Sequence, residues 1–167
     1  MIPTLALSLI IGLAIASISR PLNDSYGFTD SLWPGLVGIM IASFGFIYVQ
    51  ANKHADRILG GNKINHYGAN TVRIAVMLAL SCLIHAYSFH WIKVINLMIF
   101  GGFWFGITFN LYLNHERFLP WDYIGKDGKN QAWTDSIFSH LGKQGGKILM
   151  LVEILGMAAT GYVYLQH

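Results

Sequence analysis

Five apolar stretches constrain this chain more than any other feature, because each is close to the ~20 residues that cross ~30 Å of hydrocarbon. They cover residues 2–19, 32–49, 72–88, 94–113 and 148–165, and the only Asp, Glu, Lys or Arg inside them are Arg73 and Glu153. Such runs, if folded as helices, satisfy their own backbone groups, which is what hydrocarbon demands of a spanning segment. Composition agrees. Apolar residues make up 54% of the 167 and charged residues 11%, against about 25% charged in an average soluble domain. The mean hydropathy is +0.47. These values argue against a soluble enzyme, a nucleic-acid-binding module and a disordered chain.

Local signals refine the runs. Pro3 and Pro34 fall in first turns, where a missing N–H does no harm. Ala14-Ile15-Ala16 has the small-residue pattern of a signal-peptidase site, but no Lys or Arg precedes the run, so a retained helix is expected. Runs three and four are separated by Phe89-His90-Trp91-Ile92-Lys93, which predicts a tight antiparallel hairpin. Two polar loops remain, 51–71 and 114–147. Within the second, Trp133, Ile137, Phe138 and Leu141 recur at i, i+4, i+5 and i+8, the spacing of one helical face. Thr134 or Asp135 would cap that helix, and Gly142 with Gly145-Gly146 would end it. It would lie in the membrane interface or pack under the bundle.

Charge sets the orientation. Lys53, Arg57, Lys63, Arg73, Arg117, Lys126, Lys129, Lys143 and Lys147 fall on one side of a five-span chain, and only Arg20 and Lys93 on the other. The positive-inside rule then puts the N-terminus in the cytoplasm and His167 outside. Trp33, Trp91, Trp121 and Trp133 lie at run ends or in the interface, where indole is favoured. Trp104 is mid-span and is expected to pack against another helix.

Lipid gives helices no hydrophobic drive to associate, so small residues that allow close approach matter. The candidates are Gly12 and Ala16; Gly38, Ala42 and Gly45; Gly102 and Gly106; and Gly156 and Thr160. Four such patterns predict a compact bundle or an oligomer.

Candidate chemistry is sparse. Glu153 lies about six residues inside run five, roughly 9 Å deep at 1.5 Å per residue. An ionised acid there is costly unless paired, and Arg73, Asn110 or a tyrosine such as Tyr112 lies at similar depth. His85 sits toward the opposite end of the span, too far to pair with Glu153, and reads as a hydrogen-bonded packing residue. The lone Cys82 is expected to be a small buried side chain. His54, His66, His115, Glu116 and His140 share the cytoplasmic side and form an alternative zinc or iron site, although the sequence has no HxxxH, HExxH or CxxC. Nor does it contain GxSxG or GxxxxGK[ST].

The stretch Phe109-Asn110, Asn114, Arg117, Tyr123-Ile124-Gly125 and Asp135 resembles a pattern in small uncharacterised membrane proteins of Bacteroidota and their phages. There an apolar span ends in Phe-Asp, and an Asn, an Arg, a Tyr-x-Gly and an Asp follow before the last helix. Asn110 stands here in place of that Asp. The resemblance implies a bacterial or phage origin and a cytoplasmic-face motif, and it carries no activity with it. Physically, Asn114, Arg117 and Asp135 would act as a polar clasp on the second loop.

The expected fold is therefore all-α, an integral membrane bundle of five spans plus one short interfacial helix. The expected function is a non-enzymatic structural or assembly subunit, in a bacterial inner membrane or a phage-related one. It would hold no cofactor, and its partners would be the bilayer and other membrane subunits or further copies of itself. The alternatives are a metal-dependent membrane enzyme acting on a lipid or hydrophobic substrate through the cytoplasmic-face histidines, and an oligomeric or holin-like pore. A reporter fused after His167 is expected to be active only on the non-cytoplasmic side; a cytoplasmic C-terminus would remove the five-span topology.

Overall fold

In a computed structural model the chain is an all-α bundle. Residues 6–12, 14, 33–62, 64–86, 89–124 and 137–166 are described. Four long helices dominate: α1 (Trp33–Leu59), α2 (His66–Ile84), α3 (Trp91–Glu116) and α4 (Gly145–Gln166). All four are long and apolar enough to cross a membrane. They alternate in direction, so the α1–α2 and α3–α4 connections lie at one end of the bundle and the α2–α3 connection at the other. The first expected span, 2–19, is described only at residues 6–12 and 14, which are helical. That segment runs antiparallel to α1. The backbone N–H of Gly45 donates to Ser8 Oγ at 3.1 Å, and Gly12 lies directly against the Ala42 backbone.

The helices outrun the apolar stretches that announced them. Of residues 51–71, expected as a polar loop, 51–59 and 66–71 are helical. Polar side chains beyond the apolar run do not end a helix; a capping geometry does. At the end of α1, Gly61 adopts φ +70°, and the N–H groups of Gly61 and Asn62 donate to the carbonyls of Ile58 and Arg57 at 3.0 and 2.8 Å. This is the Schellman arrangement, which closes the last turn through a left-handed residue. Asn65 then starts α2 by accepting from the Gly68 N–H at 3.0 Å, a side-chain N-cap. Of the short interfacial helix, Ile137–Ser139 are helical, while Trp133, Thr134 and Asp135 lie outside the described residues. Gly142 does end it, at φ +63°. Gly145-Gly146 does not: the pair opens α4 and is buried.

α3 is the hub, because it packs against each of the other three helices. Its large apolar residues run round the whole circumference, the pattern of a helix buried on all sides or spanning a membrane. Leu97, Phe100, Phe105 and Phe109 join Leu36, Ile39, Ile47 and Ala51 of α1, Met77 and Leu80 of α2 and Tyr164 of α4 in one core. Toward α1, Phe44 and Tyr48 both meet Tyr112 edge-on, and the Trp104 indole N–H donates to the Met40 carbonyl at 3.2 Å. Mid-span hydroxyls are satisfied within their own helices. Ser43 donates to Ile39 O at 2.7 Å, Ser81 to Met77 O at 2.8 Å and Thr160 to Gly156 O at 2.8 Å.

The glycines divide by what they face. In α3 the residue that permits close approach is Gly101, where an added Cβ would press on Ile39 and Met77. Gly102, expected in that role, faces open space, since one residue along a helix turns the position by 100°. Gly106 and Gly156 do lie at the α3–α4 crossing, but each makes room for a side chain: the Glu153 carboxylate over Gly106, and the Phe103 ring against Gly156. Gly38 is buried in α1. Gly12→Ala is expected to lower stability by about 1–3 kcal/mol, because backbone cannot retreat as a side-chain tip can. Gly102→Ala should stay within about 0.5 kcal/mol of the parent. Thermal unfolding of both variants in the same detergent gives the comparison.

Candidate functional site

Polar residues within the bundle gather at three places. Two lie at the end that carries the α1–α2 and α3–α4 connections, and one lies at the opposite end.

The first joins α3, its following loop and the start of α4. Asn114 is 3% exposed, and its Nδ2 donates to the backbone carbonyls of Trp121 at 3.2 Å and Tyr123 at 2.9 Å. One amide thus holds a chain segment that has no regular structure to satisfy it. Arg117 lies over the Tyr123 ring, 5.4 Å from its centroid. The helix ends beside it in the geometry that also closes α1: Phe118 N–H donates to His115 O at 3.0 Å, and Leu119 N–H to Asn114 O at 2.9 Å. Here the left-handed position is filled by Phe118, at φ 54° and 95% exposed. A non-glycine residue there costs roughly 1–2 kcal/mol. Gly145 and Gly146 press on the Phe138 carbonyl and the Asp122 backbone, and only a residue without Cβ fits at either position. The loop and the α4 start are therefore one packed unit, with Asn114 as its pin. Asp135, expected in the same clasp, lies outside the described residues.

Glu153 belongs to this unit. With Asn110, Trp121, Tyr123, Gly146 and Leu149 it lines a cavity of about 10 Å³, room for about one water molecule. Of the partners weighed for Glu153, Asn110 shares this cavity. Tyr112 is turned toward Phe44 and Tyr48 of α1. Arg73 is turned toward the other side of α3.

Arg73 centres the second cluster. Its guanidinium lies over Phe109 at 4.1 Å and Phe105 at 4.7 Å from the ring centroids, and the two rings are themselves stacked. Nη1 donates to Asn70 Oδ1 at 3.2 Å, and Nε is buried with no hydrogen-bond partner. His54 stands edge-on to Phe109, 5.3 Å between centroids. The aromatic faces replace a carboxylate as the guanidinium's neighbours. In sequence Arg73 was one of three residues weighed as a partner for Glu153; depth along a span does not fix which face of α3 a residue meets.

The third place is the far end. Tyr164 Oη and His85 Nε2 share a hydrogen bond of 2.9 Å. Both residues are buried, and Gly35 of α1 leaves room for the tyrosine hydroxyl. His85 is therefore a packing residue that ties α2 to α4.

The histidines weighed as metal ligands do not converge. Among the described residues no three of His, Cys, Asp and Glu are grouped so as to hold a metal ion. His54 is turned into the bundle, whereas His115 and His140 are exposed. His115 follows Asn114 on α3, so it points about 100° away from the residue that pins the loop.

No protein-family model matches the chain, and no curated protein or solved structure matches it significantly.

Asn114→Ala strands two loop carbonyls and should lower stability by about 1–3 kcal/mol. The accompanying sign is faster proteolytic cleavage within 117–124. Phe118→Gly trades αL strain for chain entropy and should remain within about 1 kcal/mol of the parent. Thermal unfolding and limited proteolysis distinguish the two.

Proposed function

We propose that this chain is a non-enzymatic membrane subunit, a structural or assembly component of a complex in a bacterial inner membrane or a phage-related one. One observation carries the reading: the polar groups are used to tie helices together, while the outward faces of the peripheral helices are apolar. Asn114, Trp104 and the His85–Tyr164 pair each join separate segments of the chain. The open surface of α2 presents Val72, Ile74, Leu78 and Leu83, and that of α4 presents Leu151, Ile154, Leu155 and Tyr162. In a bilayer such faces meet lipid or the helices of a partner, and the exposed Gly102 on α3 adds a place where a second helix can come close.

The same reading gives five crossings with the N-terminus in the cytoplasm. Two features support it. The segment at 6–12 runs antiparallel to α1. Lys53, Arg57, Arg117 and Lys147 lie toward the end of the bundle with the α1–α2 and α3–α4 connections, and Lys93 lies at the other. A cation-rich end of this kind belongs on the cytoplasmic side.

Extraction in mild detergent, followed by cross-linking and native electrophoresis, tests the proposal. The expected result is a discrete assembly larger than the 18.6 kDa chain, with defined stoichiometry. Elemental analysis of the same sample supplies the opposing outcome. Stoichiometric zinc or iron that disappears in His54→Ala or His115→Ala overturns the reading in favour of a metal-dependent enzyme. Permeabilisation of cells on expression overturns it in favour of a pore.

A further inference from the structure

The Arg73 cluster has the makings of a receptor for an anion: its guanidinium packs on the α3 rings Phe105 and Phe109, and no carboxylate balances its charge. Arg73 is held by three contacts that fix the plane of the guanidinium: Phe105, Phe109 and Asn70. None of them neutralises its charge, and no carboxylate among the described residues acts on it. Nε remains buried without a hydrogen-bond partner. Next to it His54 is 6% exposed, with the Gln50 backbone of its own helix as its polar neighbour. The fields of Arg73, His66 and Arg57 converge on that imidazole, and no acidic group is among the influences on it. Asp56, the nearest acid in sequence, is exposed on α1.

An unneutralised cation with a buried orphan donor is expensive, and most of all beside hydrocarbon. An orphan donor on Arg73 and the guanidiniums of Arg73 and Arg57, drawn from two neighbouring helices, fit an anion with several acceptor oxygens. A guanidinium matches phosphate oxygens through its planar fork. The depth narrows the chemistry. His54 and Arg57 follow the apolar stretch of α1, and Arg73 stands at the start of the apolar stretch of α2, just after the polar residues 66–71. The cluster is therefore level with the boundary between hydrocarbon and headgroups. Arg57 is exposed and His66 half-buried, so the approach from that side carries a guanidinium and an imidazole.

We propose that α1 and α2 bind a phosphate group between them at this level, with the half-buried Arg73 as the anchor, His54 beside it and Arg57 at the mouth. The ligand is either the headgroup of an anionic phospholipid or free phosphate. The inference holds whether or not the chain is a subunit of a larger complex.

The full chain, purified in a neutral detergent and phosphate-free buffer, is melted with phosphatidylglycerol, with zwitterionic phosphatidylcholine, or with inorganic phosphate. A saturating ligand is expected to raise Tm by about 5 °C. A rise with phosphatidylglycerol and not with phosphatidylcholine or inorganic phosphate assigns the site to an anionic headgroup. A rise with inorganic phosphate assigns it to the free ion. Arg73→Gln should abolish the rise, and Arg57→Gln, at an exposed position, should weaken half-saturation by about five-fold. Should Arg73→Gln fail to fold, Arg57→Gln decides. The proposal is overturned if no ligand shifts the parent chain, if phosphatidylcholine shifts it as much as phosphatidylglycerol, or if Arg57→Gln binds as tightly as the parent.

Discussion

Every contact in this bundle answers to one constraint. In hydrocarbon, burying an apolar side chain gains nothing over leaving it in lipid, so helices are held by close fit and by satisfied polar groups. That explains why α3 is central. It brings Phe105 and Phe109 to α1 and α2, Phe103 to α4, and leaves Gly101 where Ile39 and Met77 press in. It also explains why so many polar atoms in the bundle bond back to their own helix or across to another. Ser43, Ser81 and Thr160 do the former, and Trp104, Tyr164 and His85 the latter. Arg73 follows the habit through Asn70 and the α3 rings, but its Nε is left buried without a partner.

The two helix ends at the cation-rich side show how one geometry can be filled by different residues. α1 closes on Gly61 and α3 on Phe118, both with positive φ. Glycine is the inexpensive choice, so the second helix holds a strained backbone at an exposed aromatic residue. What keeps it there is the loop that follows. Asn114 fixes the carbonyls of Trp121 and Tyr123, and Gly145-Gly146 lock the same segment against α4. Strain of this kind persists where the surroundings over-determine the backbone. The chain from α3 to α4 is therefore far better held than a connection between two spans requires.

Particular residues show where sequence reading works and where it stops. The all-α class, the helices and their alternation were legible, because hydrocarbon thickness fixes a run length that composition reveals directly. Helix ends were less so: α1 continues ten residues past its apolar run, and only Gly60-Gly61, in the form of a capping pair, signalled the stop. Trp104 and His85 were legible as packing residues, since an amphipathic ring inside a span needs a partner. Asn114 and Arg117 were singled out together only through the resemblance to a pattern in other membrane proteins. The partner of Arg73 was not, because two aromatic faces i, i+4 apart on α3 look in sequence like ordinary apolar residues. Nor was the choice between Gly101 and Gly102, where both satisfy the same small-residue pattern.

The sequence by itself determined that this chain is helical and belongs in a membrane, and it placed the cations at one end. Those properties follow from run length, hydropathy and the cost of unpaired backbone in lipid, none of which depends on how the helices meet. Tertiary structure alone decided which faces meet. It set Glu153 beside Asn110 and over Gly106, turned Arg73 onto Phe105 and Phe109, and kept the histidines from converging. Rotation about a helix axis moves a residue by 100° per position. Depth is readable from a linear pattern, whereas azimuth is fixed only when all the helices pack together.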